Sequence, residues 1–148
     1  MKFIIFSTLL FITSGCNKNS NGKIQDDYRL DKLSQSQIKQ IIVGKWKINF
    51  ATGGITNMGQ KYSNAYIDFK FNTKDSIIYF ENDSFIAKSP ITWIRIPDMH
   101  QHVDSVFLLA FDLASKIPTG LIPLASHKDS LWLGENGIDG YIYWLTRK

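Results

Sequence analysis

The sequence predicts an all-β domain, an antiparallel barrel or sandwich, preceded by one short helix. Three observations carry this prediction. After Gly44 the apolar residues recur at every second position, which is the period of a half-buried strand. About seven to nine such segments follow one another, separated by turn residues at the spacing of a meander. No helical periodicity returns after Gly44, so helices are not expected to cover the sheet.

Length and composition exclude several classes of protein. A chain of 148 residues allows one domain with a tail. Ten Phe, six Tyr and four Trp are too many aromatic residues for a disordered chain. A single cysteine cannot form an internal disulfide or a cysteine-based zinc site. The formal charge of +4 is mild for a protein that binds nucleic acid.

The N-terminus has the pattern of a secretory signal peptide over residues 1–15. Lys2 supplies a positive charge, residues 3–12 form an apolar run, and the small residues 13–15 follow it. The run is too short for a transmembrane helix, which needs about 20 apolar residues. The alternative interpretation is a buried N-terminal strand or helix.

Cys16 directly follows these small residues, and residues 13–16 resemble the lipobox of bacterial lipoproteins. The resemblance implies cleavage before Cys16, its modification by a diacylglyceryl group, and acylation of the new amino terminus by a fatty acid such as palmitate. Thr13 stands where that family usually has Leu. Asn17, by resemblance to enterobacterial sorting rules, implies the outer membrane. The alternative is cleavage by ordinary signal peptidase, which would leave Cys16 as a free thiol.

Residues 16–32 are predicted to form the lipidated N-terminus and a flexible tether, because residues 17–23 are polar and small. A short helix is predicted over residues 34–42. Ser34 is the expected N-cap, with Gln37 three residues later completing a capping box. Ile38 and the isoleucines after it share one helical face, and Gly44 ends the helix.

The predicted strands follow the period-two pattern. They cover residues 46–50, 65–71, 77–80, 85–87, 91–96, 103–111, 130–133 and 140–146. Residues 117–124 contain Pro118 and Pro123, which predict an edge strand or a loop. Asn136 and Gly137 form a typical hairpin turn before the last strand.

Three residues suggest a family. Gly44 and Trp46 form a Gly-x-Trp pattern at the start of the first main strand, and Arg147 lies at the end of the chain. This arrangement resembles the lipocalin-like domains, in particular the small lipocalin-like lipoproteins common in Bacteroidetes, over residues 33–148. The resemblance implies an up-and-down barrel of about eight strands. It also implies that the arginine packs across the tryptophan, so that Gly44, Trp46 and Arg147 close the barrel and bind no ligand. The alternatives are another β-sandwich or a half-barrel, with Trp46 as an ordinary core aromatic and Arg147 as a solvated charge.

The chemical signals are weak. His100 and His102, with Asp98 and Asp104 beside them, could contribute to a metal site, but no third ligand is set by spacing and solvated loop histidines are favoured. His127 is expected on the surface. No catalytic motif of a hydrolase, cysteine enzyme or zinc protease is present, so the sequence predicts neither an enzyme nor a cofactor.

Other candidate residues favour structural roles. Asp68 and Asp112 have no partner at catalytic spacing, and we expect them to face outward or to cap. Gly53 and Gly54 precede no helix and therefore form no phosphate cradle. The alternation of aromatic and basic residues at Trp46-Lys47 and Trp93-Arg95 could serve as a nucleic-acid platform, but the export signal argues against it.

These observations predict a lipid-anchored protein of the bacterial cell envelope that attaches to the membrane through Cys16. Its small β-barrel is predicted to bind a small hydrophobic ligand, with the aromatic side chains lining a cup. The alternative is a non-catalytic interaction or inhibitor module without a ligand cavity. The sequence identifies neither the ligand-binding residues nor a protein partner.

Overall fold

A computed structural model gives the fold for residues 27–54, 59–98, 103–113, 117–137 and 139–148, with side chains from residue 29 onward. The predicted signal peptide 1–15, Cys16 and most of the tether 16–32 lie outside the described residues. No helix in the described ranges is long and apolar enough to span a bilayer.

From the helix onward, the elements follow one another in the order that the sequence predicts. A short strand and a 3₁₀ turn precede the helix, within the residues 16–32 predicted as a tether. Their bounds are β1 (Asp27–Arg29), a 3₁₀ turn (Leu30–Lys32), α1 (Gln35–Ile42), β2 (Gly44–Gly53), β3 (Gln60–Phe71), β4 (Asp75–Glu81), β5 (Ser84–Pro90), β6 (Thr92–Pro97), β7 (Ser105–Ala110), β8 (Gly120–His127), β9 (Ser130–Glu135) and β10 (Tyr141–Arg147).

The strands form one antiparallel sheet. Nine of them lie in the order β5-β4-β3-β2-β10-β9-β8-β7-β6, and β1 pairs with β8 off this path. The all-β, antiparallel prediction with one short helix is therefore confirmed. Along the described strands, β5 and β6 end the order and do not pair with each other, so the hydrogen-bonded ladder does not close. A closed barrel of about eight strands stays a prediction.

The helix α1 begins where the capping residues predict. The backbone N–H of Ser34 donates to Oε1 of Gln37 at 3.0 Å, and the N–H of Gln37 donates to Oγ of Ser34 at 3.4 Å. Ile38 and Ile42 bury their side chains against the sheet. Because they are four residues apart, they share one helical face and hold α1 across one end of the sheet.

The strand over residues 117–124 differs from its prediction, because β8 is paired on both sides. It pairs with β9 along its length, with β7 at Leu121, and with β1 from Ala125 onward. Pro123 lies between these last two pairings, next to a register shift. Proline lacks an N–H and is tolerated at this position, because neither β7 nor β1 pairs with Pro123.

The core is one cluster of buried side chains on the inner face of the sheet. Trp46 and Phe69 are fully buried, and Leu30 of the 3₁₀ turn joins the cluster from outside the sheet. The remaining buried aromatic members are Tyr79, Phe111 and Tyr143. Large aromatic side chains therefore belong to the same buried cluster as the aliphatic ones. The cup lined by aromatic side chains stays a prediction.

Candidate functional site

The structure brings the predicted closure residues together at the α1 end of the sheet. The guanidinium carbon of Arg147 lies 4.2 Å from the centre of the buried Trp46 ring. The same guanidinium donates to the backbone carbonyls of Val43 and Ile41, each at 2.9 Å. The indole N–H of Trp46 donates to the carbonyl of Ile42 at 2.7 Å.

Gly44 completes this group. Its φ of +103° lies in the left-handed region that favours glycine. A Cβ at Gly44 would lie 3.2 Å from Nη1 of Arg147. The three residues therefore contact one another and the C-terminal end of α1, and this end of the sheet is packed. Their role in barrel closure stays a prediction, since the ladder itself is open.

The weak metal candidates are only partly described. His100 and His102 lie outside the described residues. Oδ2 of Asp98 accepts a hydrogen bond from the backbone N–H of Val103 at 3.2 Å, which is a capping contact across that loop. His127 lies at the end of β8 and is partly exposed. Within the described ranges, no group of three or more histidine, cysteine or acidic side chains is placed to hold a metal ion.

The two candidate aspartates differ from each other. Asp112 is exposed, in agreement with its prediction. Asp68 shares a row with Lys45 and Lys88 on the outer face of the sheet, so it faces outward as predicted, yet it is only 3% exposed. Lys70 folds over it, with 3.0 Å between Nζ and Oδ2, and Oδ1 has no hydrogen-bond partner among the described residues. Gly53 ends β2 in close contact with β10, because a Cβ there would lie 2.4 Å from the carbonyl oxygen of Gly140.

A cleft of about 640 Å³ lies beside β8, β9 and β10 and is the main candidate for a ligand site. Its apolar floor includes Ile122, Leu124 and Ile142. These residues alternate with the buried Leu121 and Tyr143 along their strands. Successive side chains of a strand point to opposite faces, so the floor of the cleft is the outer face of the sheet.

The cleft forms where β7 parts from β8. The two strands pair only at Leu109 and Ala110 of β7, and β1 then takes the place of β7 beside β8. Val106 of the diverging β7 lines the opening. Gly134 lets the Leu124 side chain lie across the floor, because a Cβ at Gly134 would lie 2.9 Å from Cδ1 of Leu124.

Charged side chains surround the apolar floor. Arg29 and Asp31 form an ion pair at the rim, and Asp98 and Glu135 also line the cleft. The pKa of Arg29 is raised, mainly by its hydrogen bond and charge interaction with Asp31 and less by the charge of Asp98. Three acidic groups face one basic group, so the rim carries a net negative charge.

Glu135 connects the cleft to a pair of tyrosines on the inner face. Tyr143 donates its phenolic hydrogen to Oε1 of Glu135 at 2.8 Å, and the Tyr62 ring centre lies 6.1 Å from that of Tyr143. Burial raises the pKa of both tyrosines, and the neighbouring Glu135 raises it further. Tyr143 is therefore neutral at pH 7 and remains a hydrogen-bond donor at this corner of the cleft.

Sequence reasoning missed this cleft because its residues come from the 3₁₀ turn and from strands far apart in the chain. The available signal was subtle. Residues 121–125 and 141–145 are apolar at successive positions, which indicates strands covered on both faces. A strand with a solvated outer face would alternate instead.

In comparisons of this chain with protein-family models, with curated proteins and with solved structures, no match was found.

Proposed function

We propose that this chain is a lipid-anchored protein of the bacterial cell envelope, at the outer membrane, whose lipocalin-like barrel binds one small amphipathic molecule without catalysis. The observation that carries the binding function is the 640 Å³ cleft with its apolar floor and acidic rim. Its volume lies within the range of about 300–1,000 Å³ that is usual for small-molecule sites.

The connection between β5 and β6 supports the barrel. Only Ile91 separates these strands, which lie at the two ends of the sheet order. The backbone N–H of Asp112, just after β7, donates to Oγ of Ser89 in β5 at 2.9 Å. If β5 and β6 are counted as one bent strand, the path has eight strands and each lies beside the next. The up-and-down barrel of the lipocalin-like family has this arrangement.

The charge of the rim narrows the chemistry of the ligand. Asp31, Asp98 and Glu135 repel a carboxylate, whereas a cationic or neutral polar group avoids this repulsion. The apolar floor takes the hydrocarbon part of the molecule. We therefore expect an amphipathic ligand with an amine or hydroxyl group and not a fatty acid.

The binding test uses three dodecyl compounds that differ only in the polar group: an amine, an alcohol and a carboxylate. Each is titrated into the purified chain, with native mass spectrometry and tryptophan fluorescence as readouts. The amine and the alcohol should bind, and the carboxylate should bind roughly tenfold more weakly than the amine. Failure of all three to bind would remove the ligand-binding function.

Two isoleucines of similar exposure provide matched variants. Ile142 is 38% exposed in the cleft floor, and Ile94 is 41% exposed on β6, outside the cleft lining. Ile142→Ala should weaken binding of dodecylamine roughly fivefold, because apolar contact area is lost. Ile94→Ala should leave it unchanged. An equal loss in both variants would indicate nonspecific adsorption.

The anchor has its own test. Replacing Cys16 by serine should release the protein from isolated membranes, since acyl chains at Cys16 are the proposed attachment. Wild-type protein from the same cells, labelled with a palmitate analogue, is the control. A Cys16→Ser variant that is cleaved normally yet stays with the membranes would contradict lipid anchoring.

A second function, the interaction module, is favoured by an aromatic ladder on the outer face. Phe50 and Trp132 each lie 5.3 Å from Trp144, measured between ring centres, and Phe50 is partly exposed. Exposed aromatic stacks are enriched at protein interfaces. A photo-crosslinking residue at Phe50 should then capture one defined envelope protein in cells, whereas the same residue at Ile94 should not.

A further inference from the structure

The outer face of β2–β5 carries a second surface, which we name the basic aromatic face. Strand pairing places Lys47, Tyr66, Phe80 and Phe85 in one row across the four strands. The next row contains Lys45 at one side and Lys88 at the other. This pairing brings lysines and aromatic rings from distant parts of the sequence onto one side of the sheet.

The aromatic rings of this face lie side by side in one row that ends in solvent. The Phe80 ring centre lies 5.4 Å from that of Tyr66 and 6.3 Å from that of Phe85. Lys45 Nζ lies 4.9 Å above the Phe80 ring, and Lys148 Nζ lies 3.7 Å above the Tyr66 ring. Lysines thus cover the inner rings, whereas Phe85 at the open end is 61% exposed.

The charge of the face is positive. Lys45, Lys47 and Lys88 are exposed on it. Its acidic groups are engaged, because Asp68 is buried beneath Lys70 and Asp83 pairs with Lys148. The same asymmetry extends along the chain: residues 44–90 contain six lysines and four acidic residues, whereas residues 91–146 contain three basic and six acidic residues.

A shallow depression of about 270 Å³ lies on the same strands, between Lys74 and Lys88. Asp75 also lines it, but this carboxylate already pairs with Lys39 and accepts a hydrogen bond from Trp93 Nε1 at 2.8 Å. The two lysines therefore dominate the charge at its mouth. Two lysines beside one open depression favour an anionic group there.

We propose that the basic aromatic face docks onto an anionic phospholipid surface. The lysines contact lipid phosphates, and Phe85 together with its exposed neighbour Ile86 enters the boundary between headgroups and acyl chains. Charge complementarity selects this partner, because the lysines surround a small apolar tip instead of an extended apolar patch. The cleft lies on the other strands, so the docked domain keeps it accessible. This inference does not depend on the ligand-binding function.

The test follows hydrogen exchange of residues 84–88 by mass spectrometry. The full chain is mixed at millimolar lipid with vesicles of phosphatidylethanolamine and phosphatidylglycerol, with vesicles of phosphatidylcholine, or with inorganic phosphate alone. Exchange should slow several-fold with the anionic vesicles only, and 0.5 M salt should reverse the effect through screening. Residues 141–145 in the same samples are the internal control and should not change.

Two variants measure separately how much charge and apolar insertion contribute to docking. Lys88→Gln should weaken docking roughly fivefold, since each lysine near an anionic surface contributes about 1 kcal/mol. Phe85→Ser, at an exposed position, should abolish the protection without unfolding the domain, and Lys128→Gln in the β8–β9 turn should have no effect. Equal exchange in all lipids overturns the proposal. Protection by phosphate alone, or protection that grows with protein concentration without lipid, also overturns it, in favour of an ion site or a second copy of the chain.

Discussion

The end of the sheet covered by α1 and the opposite end, beside the cleft, contain similar kinds of side chain in different surroundings. At the α1 end, Trp46 Nε1 and the two terminal nitrogens of Arg147 donate to backbone carbonyls at the C-terminal end of α1. At the other end, Tyr143 donates to Glu135, which itself lines an open cleft. The first end is packed against α1, whereas the second adjoins open space. The same kinds of residue therefore form a candidate binding site only where they border an open cleft.

The largest expected effect is the loss of stability when a buried tryptophan is replaced, compared with a half-buried one. Trp46→Ala should lower the free energy of unfolding by about 3–5 kcal/mol, because it leaves a cavity under α1. Trp144→Ala, on the outer aromatic ladder, should lower it by about 1–2 kcal/mol. Urea unfolding of both variants measures the difference. Equal losses would break the distinction between the packed end and the outer face.

A backbone position at the α1 end comes next. Gly44→Ala should destabilise the domain by about 1–3 kcal/mol, since φ of +103° strains any other residue and the new Cβ approaches Arg147. Gly137→Ala is the control, because the nearest atom to a Cβ there is 3.8 Å away. Thermal unfolding should show a lower midpoint temperature for Gly44→Ala than for Gly137→Ala. A neutral Gly44→Ala variant would show that this end is less constrained than its geometry indicates.

Substitution of Arg147 tests whether stability requires a planar guanidinium that donates two hydrogen bonds. Arg147→Lys should lower the free energy of unfolding by about 1–2 kcal/mol, because an ammonium cannot reach both Val43 and Ile41 while covering the Trp46 ring. Lys47→Gln, an exposed change on the neighbouring strand, should remain within about 0.5 kcal/mol of the parent. Chemical denaturation measures both variants. If Arg147→Lys were as stable as the parent protein, positive charge alone would account for the contribution of Arg147 to stability.

The smallest effect belongs to the cleft end and depends on pH. Tyr143→Phe should lower the free energy of unfolding by about 1 kcal/mol at pH 7, because the hydrogen bond to Glu135 is lost. The folded state raises the pKa of Tyr62, Tyr79 and Tyr143, chiefly through burial, so the unfolded chain loses these protons first as pH rises. Their contribution is complete below about pH 10 and declines above it.

The pH dependence of unfolding provides the check on that prediction. Urea midpoints measured from pH 8 to pH 11.5 should fall more steeply for the parent protein than for Tyr143→Phe, which has one titrating group fewer. Trp46→Phe is the control, since neither side chain titrates. Identical slopes for the parent and Tyr143→Phe would mean that this tyrosine is open to solvent at high pH.

Local patterns predicted most of the secondary structure, whereas the candidate site escaped them. The capping pair Ser34 and Gln37 correctly marked the start of α1, and the period-two alternation marked the strands. Pro123 misled the assignment of β8, because a proline is tolerated within a paired strand when its two neighbours on one side leave a gap. The strand pattern placed Asp68 facing outward, but it did not indicate that Lys70 covers the carboxylate.

The sequence by itself determined the all-β class, the single short helix and the order of the elements from that helix onward, because each depends on residues close together in the chain. The resemblance to lipocalin-like domains pointed to Gly44, Trp46 and Arg147, which lie together in the structure. Only the tertiary structure decided where open space lies. The cleft exists because β7 parts from β8 and β1 replaces it, and the basic aromatic face exists because four strands align their lysines and rings in register. Both surfaces depend on which strands pair and at which residue, and no local pattern contains that information.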